Sequence, residues 1–236
     1  MKNYSPIMVF SYFVLFIVQV FIASSALGQT TLPPGFMYLD DELPTISIDL
    51  RYEGENNFLG RPVAGYENAR AVLSIPAARA LSKVQHELHT MGLGLEVFDA
   101  YRPQKAVDDF VSWGKNLDDK KMKKSYYPDV KKQDLFKKGY VAEKSSHSRG
   151  STVDVTLIGY DKDGNIYDLD MGSGFDFFGE ISHPDYVDIP AQARANRLLL
   201  RTLMIKHGFK PLSEEWWHFT YEDEPFPNTY FDFPMQ

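Results

Sequence analysis

Ser145-Ser146-His147-Ser148-Arg149-Gly150-Ser151-Thr152-Val153-Asp154-Val155-Thr156-Leu157-Ile158 is the stretch from which the fold class can be read. It opens on a polar turn punctuated by Gly150 and closes on a strand, Val153 to Ile158, rich in β-branched residues. Working outward, Leu93 to Phe98 reads as a second buried strand. Asp163-Gly164 marks a hairpin turn into Ile166-Tyr167-Asp168. Phe209 to Tyr221 supplies a last strand, and the alternation of Thr45 to Leu50 predicts an early one. Helices fall between them. Ala78, Leu81, Val84 and Leu88 recur at helical spacing from about Ile75 to Thr90, with Gly92 as the stop. Pro103 suits the first turn of a helix running through Ala106, Phe110 and Val111. Pro190 to His207 is a long amphipathic helix ended by Gly208. The Lys-rich residues 115–140 read as a surface excursion with one short helix, and residues 51–68 as irregular. Regular βαβ alternation is missing. The expected class is therefore α+β, a small antiparallel sheet flanked by helices.

The chain has 236 residues, 44% hydrophobic and 24% charged, which suits one folded domain and excludes wholesale disorder. It contains no cysteine, so disulfides, thiolate nucleophiles, iron–sulfur clusters and Cys-containing zinc sites are excluded. Any metal must rest on carboxylates and on the six histidines. The net charge of −7 argues against nucleic acid as a partner.

Residues 1–28 stand apart. Lys2 precedes an apolar run from Ile7 to Ala23, followed by small residues through Gly28. This is the pattern of a secretory signal peptide, with Ala26 and Gly28 offering a cleavage point. An uncleaved anchor is the alternative, because the run approaches the ~20 residues that span a bilayer. On either reading residues 29–236 form the folded domain and lie outside the cytoplasm, periplasmic or secreted, with membrane contact only through an uncleaved leader.

Two stretches offer chemistry. The first carries His147 and Asp154; the second is Glu214-Glu215-Trp216-Trp217-His218-Phe219. Together they supply two imidazoles, an Asp and a spare Glu. A catalytic zinc needs three protein ligands and an open position for water, and Glu215 could take a proton from that water. Taken singly, a His beside a glycine turn is ordinarily a turn residue, and Trp-Trp is ordinarily core. Spacing adds a constraint. His147 and Asp154 are seven apart, Glu215 and His218 three, so on ideal strands each pair would face opposite ways. The chain must bend within each pair, which Gly150 permits for the first.

Arg102, in Asp99-Ala100-Tyr101-Arg102-Pro103, sits where a buried strand meets a helix. Held by Asp99, it would serve as an oxyanion stabiliser; a purely structural ion pair fits equally well. The remaining histidines read as structural. His86 and His89 share a solvated helix face, His183 precedes a proline in a turn, and His207 ends a helix. Asp161-Lys162-Asp163-Gly164-Asn165 begins like a calcium loop but has Ile166 and Gly172 where an EF-hand needs Gly and Glu, so it is a hairpin turn.

His147-x₆-Asp154, Glu215-x-x-His218 and the Asp-x-Tyr-Arg-Pro stretch together resemble the zinc D-alanyl-D-alanine dipeptidases of the vancomycin-resistance type, within the D-Ala-D-Ala peptidase/hedgehog/lysostaphin-like group. The likeness extends to Tyr52, Asn57-Phe58, Pro62 to Tyr66, Met171 to Ser173, Phe175-Asp176 and the tail from Asp223 to Pro234. It implies a hedgehog/D,D-peptidase-like fold with a zinc site at the sheet and one Zn2+ per chain. His147, Asp154 and His218 would be the ligands, Glu215 the base and acid, and Arg102 the transition-state stabiliser supported by Asp99. Tyr52, Tyr66, Ser145 and Asp176 would contact the substrate. The implied reaction is hydrolysis of the D-Ala-D-Ala dipeptide. One feature departs from the resistance enzymes of that family, which act in the cytoplasm: the export signal.

Dipeptide specificity has a physical logic, since a closed pocket must pair both charges of a small zwitterion. Two other readings remain open: a murein-stem D,D-carboxypeptidase or endopeptidase with an open groove, and a non-catalytic zinc-binding module. The sequence leaves the oligomeric state open.

Overall fold

A computed structural model of the chain describes Met1 and residues 32–236. The expected leader, residues 1–28, lies outside the described residues except for Met1.

Strand β1 (Phe36–Tyr38) leads into the single turn α1 (Leu39–Glu42), the short β2 (Ser47–Ile48) and, after a long irregular stretch, β3 (Val72–Ser74). Then come helix α2 (Ile75–His89), strand β4 (Leu93–Asp99), helix α3 (Gln104–Lys115) and the turn α4 (Lys123–Tyr126). The second half holds β5 (Thr152–Tyr160), β6 (Ile166–Asp168), helix α5 (Ala191–Lys206), β7 (Phe209–Pro211) and β8 (His218–Tyr221). The main sheet has the order β2-β4-β5-β8-β7, with β6 also on β5; β1 and β3 pair separately. The class is α+β, as expected.

β5 organises the molecule. One edge pairs with β4; the other pairs with β8 along Thr152–Asp154 and with β6 along Ile158–Tyr160. Its residues from Thr152 to Gly159 are buried whichever way they point, so both faces of the strand are covered. Asp154 faces the candidate site, so Val153, Val155 and Leu157 face the opposite side by alternation. Helices α2 and α5 pack against the sheet and each other, burying Leu81, Val84 and Leu88 of the first and Leu200, Leu203 and Met204 of the second.

Three expectations are corrected. The predicted strand Thr45 to Leu50 shrinks to β2, and it runs parallel to β4 rather than antiparallel. A parallel pair needs a long crossover, and the chain from β2 to β4 supplies one through α2. The single last strand predicted over Phe209 to Tyr221 is a hairpin, β7 and β8, because the chain turns back through Ser213-Glu214. Pro103 is the N-cap of α3, extended at ψ 149°, rather than part of its first turn.

An aromatic cluster locks the tail to the front of the chain. Phe36 stacks on Phe226 at 5.3 Å and meets Phe231 and Phe233 edge-on at 5.0 and 4.9 Å. Phe233 stacks on Tyr101 at 4.1 Å. The Phe231 backbone N–H donates to the Ser148 carbonyl at 2.8 Å, so the tail holds the turn that carries His147.

Candidate metal centre and its cavity

The turn before β5 is a short 3₁₀ segment, Ser146–Arg149, closed by Gly150 in the left-handed conformation at φ 78°. Ser145 Oγ caps it by accepting from the His147 backbone N–H at 3.3 Å. The turn folds His147 back over the start of β5, which resolves the parity conflict between His147 and Asp154. In the second pair His218 opens β8, with Glu215 in the bend before it. The required bend is present in both.

His147 Nε2 lies 3.3 Å from Asp154 Oδ2, His218 Nδ1 lies 3.1 Å from Asp154 Oδ1, and the two ring nitrogens are 3.3 Å apart. Among the described residues these three form the group whose donor atoms converge closely enough to hold a metal ion, all within 4.8 Å. The imidazoles are aimed by their other nitrogens. His147 Nδ1 meets the Ala100 carbonyl at 2.7 Å. A carbonyl only accepts, so Nδ1 carries a hydrogen and Nε2 is the nitrogen turned toward Asp154. His218 Nε2 lies 3.3 Å from Ser146 Oγ. Asp154 Oδ1 is buried without a hydrogen bond, since its approach to His218 lacks donor geometry. A buried carboxylate with one orphaned oxygen, set against an imidazole nitrogen at each oxygen, fits a cation. Burial alone would raise Asp154; His147 and His218 outweigh it and hold the carboxyl well below the usual range. Burial would lower His218, and Asp154 outweighs it in turn, raising the imidazole.

Glu215 Oε2 is 3.5 Å from His218 Nδ1, and burial pushes this carboxyl up to about 7. Arg102 reaches Asp99 Oδ2 through Nε at 2.8 Å and Nη2 at 2.6 Å, and its Nη2 is 3.7 Å from Asp154 Oδ2. The guanidinium rests over the rings of Tyr52 and Phe110, at 5.1 and 5.0 Å. Asp99 is fully buried and also accepts from the Tyr66 hydroxyl at 2.6 Å. Tyr52 donates to Asp176 Oδ2 at 2.8 Å; Asp176 is raised, by burial first and by the Asp154 charge second. Asp176 holds an unusual φ of 59°.

These groups line a cavity of about 220 Å³ whose walls include Tyr52, Arg102, Ser145, Asp176 and Glu215 with the three candidate ligands. Tyr66, expected at the substrate, stands behind this wall instead: its hydroxyl is used on Asp99, and the ring is fully buried. Two contributors were missed. Ser146, the neighbour of His147, holds the other imidazole and could have been suspected from that adjacency. The Ala100 carbonyl has no signature in sequence. The structural readings of other residues agree with their surroundings: His207 pairs with Glu87 at 2.9 Å, and Asp161 closes its turn on Asp163 and Asn165.

A buried His/Asp/His group with a carboxylate beside it, at the floor of a small cavity on an α+β sheet, is the layout of a metallopeptidase. More narrowly, the D-Ala-D-Ala dipeptidase profile of peptidase family M15 matches residues 34–236, and the chain belongs to that family. The D-alanyl-D-alanine dipeptidase of Enterococcus faecium is 43% identical over 202 residues, covering 86% of this chain and 98% of that protein. That of Streptomyces coelicolor is 41% identical over 200 residues, 85% and 98% respectively. A solved structure of VanY, a D,D-pentapeptidase from a VanB-type resistance cassette in complex with Zn(II), is more distant: TM-score 0.39 and 16% identity, over 64% of this chain and 74% of that one.

Proposed function

We propose that this protein is a zinc peptidase that hydrolyses D-alanyl-D-alanine to two D-alanines, with one zinc per chain on His147, Asp154 and His218. The observation that carries the reading is the convergence of those donors with Glu215 and Arg102 on one dipeptide-sized cavity. A zinc ion held there supplies Lewis acidity toward the amide carbonyl and toward a nucleophilic water.

The chain's own groups do the rest. Glu215, whose burial suits it to exchange protons near neutrality, takes the proton from the attacking water and delivers it to the departing amine. Arg102 is locked on Asp99 and keeps its guanidinium against the cavity, so its N–H groups meet the developing oxyanion without reorganising. Asp99 is kept in place by Tyr66 and so acts through Arg102. Asp176, steadied by Tyr52, pairs the substrate ammonium, while the Ser145 hydroxyl is suited to its carboxylate. A carboxyl group for the ammonium and a hydroxyl for the carboxylate give a small zwitterion one direction in the cavity.

The test is one purified sample assayed for metal content, for D-Ala-D-Ala hydrolysis and for release of D-alanine from a murein pentapeptide. One zinc per chain with turnover of the dipeptide alone is expected. Preferential turnover of the pentapeptide would make it a murein-stem carboxypeptidase, and zinc without hydrolysis a binding module. The leader pattern supports export to the periplasm or beyond. No helix among the described residues is long and apolar enough to cross a membrane. Fractionation of a reporter-tagged chain tests export, and retention in the cytoplasm would refute it.

A further inference from the structure

Away from the metal centre, a second cavity of about 190 Å³ opens between α5 and the segment that carries Asp185. Arg194, Arg197 and Arg201 all line it, against the single carboxylate of Asp185. Their spacing of three and four places them on one face of α5. The walls are thus cationic in a chain whose net charge is −7.

Arg197 is the unusual member. It is 2% exposed, yet no carboxylate among the described residues forms an ion pair with it. Its Nε donates to the Met171 carbonyl at 2.6 Å, Nη1 to the His183 carbonyl at 2.9 Å, and Nη2 to Ser173 Oγ at 3.2 Å. Dipoles satisfy hydrogens but leave the charge uncompensated, a costly state for a buried ion. Burial brings this guanidinium down to about 10, offset only in part by Asp170. These three bonds leave roughly two of its five N–H groups without an acceptor among the described residues. The flanking arginines are differently placed. Arg194 Nη1 donates to the Val187 and Ile189 carbonyls at 3.0 and 2.6 Å. Arg201 pairs with Asp185 at 2.5 Å, but that carboxylate is 85% exposed, so water and salt compete for it.

We propose that this cavity binds a small phosphoryl-type oxyanion, either inorganic phosphate or the head of a phosphomonoester. Arg197 supplies the buried charge, and Arg201 turns from Asp185 to the ion. Planar guanidinium groups match such an oxyanion through paired N–H donors. The site is wired to the catalytic cavity. Ser173 Oγ accepts from Arg197 and also from Trp216 Nε1 at 3.0 Å, and Trp216 adjoins Glu215. Bound anion therefore steadies the segment that carries the base.

The test is calorimetric titration of the metal-loaded protein with inorganic phosphate and with methyl phosphate, at fixed ionic strength in chloride. Saturable binding of one ion per chain is expected. Arg201→Gln should weaken it about tenfold or more, the loss of one charge-assisted hydrogen bond. Asp185→Asn should tighten it several-fold by releasing Arg201, a gain that misfolding cannot produce. In phosphate-free buffer both variants should keep the parent's dipeptide turnover. Methyl phosphate binding at least as well as phosphate identifies an esterified ligand; much weaker binding identifies the free ion. No saturable binding, or binding unmoved by either substitution because the ion sits at the metal centre, overturns the proposal.

Discussion

Asp154 stands directly opposite His218 in the β5–β8 ladder, and directly opposite Asp99 in the β4–β5 ladder on its other side. The three side chains therefore form one row across three strands. The row is aligned by an irregularity in β4 between Val97 and Asp99, the kind of bulge that re-aims a side chain. Backbone pairing sets the spacing of a candidate metal donor and of the group that holds Arg102.

Asp154→Asn keeps the shape of that row and removes its charge. Losing a partner of a ligand commonly costs about 10–100-fold in metal affinity, so losing the ligand's own charge should cost ~100-fold or more. Competition against a chelator reads this directly. Affinity within a few-fold of the parent would take Asp154 out of the ligand set.

Glu215→Gln should bind zinc as the parent does and melt at a similar temperature, while turnover falls about 10²–10⁴-fold, the usual share of general acid–base catalysis. A variant that keeps a tenth of the activity would mean that another group moves the proton.

Arg102→Ala should lower kcat by about 10²–10³, or ~3–4 kcal/mol, with zinc content unchanged. Arg102→Lys should rescue little of it, since one ammonium cannot grip Asp99 and also face the cavity through a planar fork. Steady-state kinetics beside metal analysis separates this from site collapse. Unchanged turnover in the alanine variant would leave the Asp99 pair as purely structural.

Gly150→Ala attacks the turn without touching a ligand. The new Cβ would lie 2.1 Å from Phe36 Cε1, at a backbone φ of 78° that side chains rarely adopt. Left-handed strain of about 1–2 kcal/mol and overpacking of about 1–3 kcal/mol should add to a clear loss of stability in urea denaturation. Since His147 rides on the same turn, metal affinity should fall with it; full stability and full affinity together would refute the account of the turn.

Much of this architecture was legible in the sequence, for identifiable reasons. Helices α2, α3 and α5 carry apolar residues at helical spacing, and β4, β5 and the β6 hairpin carry branched runs or a turn pair, so local pattern and final structure agree. The chemistry of the centre was legible because its residue types are scarce in a chain with six histidines and no cysteine. What escaped depends on distant partners. The parallel pairing of β2 rests on β4, and the fate of Tyr66 rests on which of its neighbours, Asp99 or the cavity, its hydroxyl would reach. The Ala100 carbonyl that aims His147 is main chain, which every residue possesses alike.

The aromatic lock between the tail and Phe36 also bears on how the protein would fail. Chain ends ordinarily fray without consequence. Here the strand bearing Phe36 and the segment from Phe226 to Phe233 grip each other, and Phe231 is tied to Ser148, one residue from His147. A protease that nicked this tail would loosen the imidazole before it opened the sheet. With zinc placed on His147 as proposed, damage at the periphery would thus first appear as leakage of that ion, in a molecule whose strands were still in place.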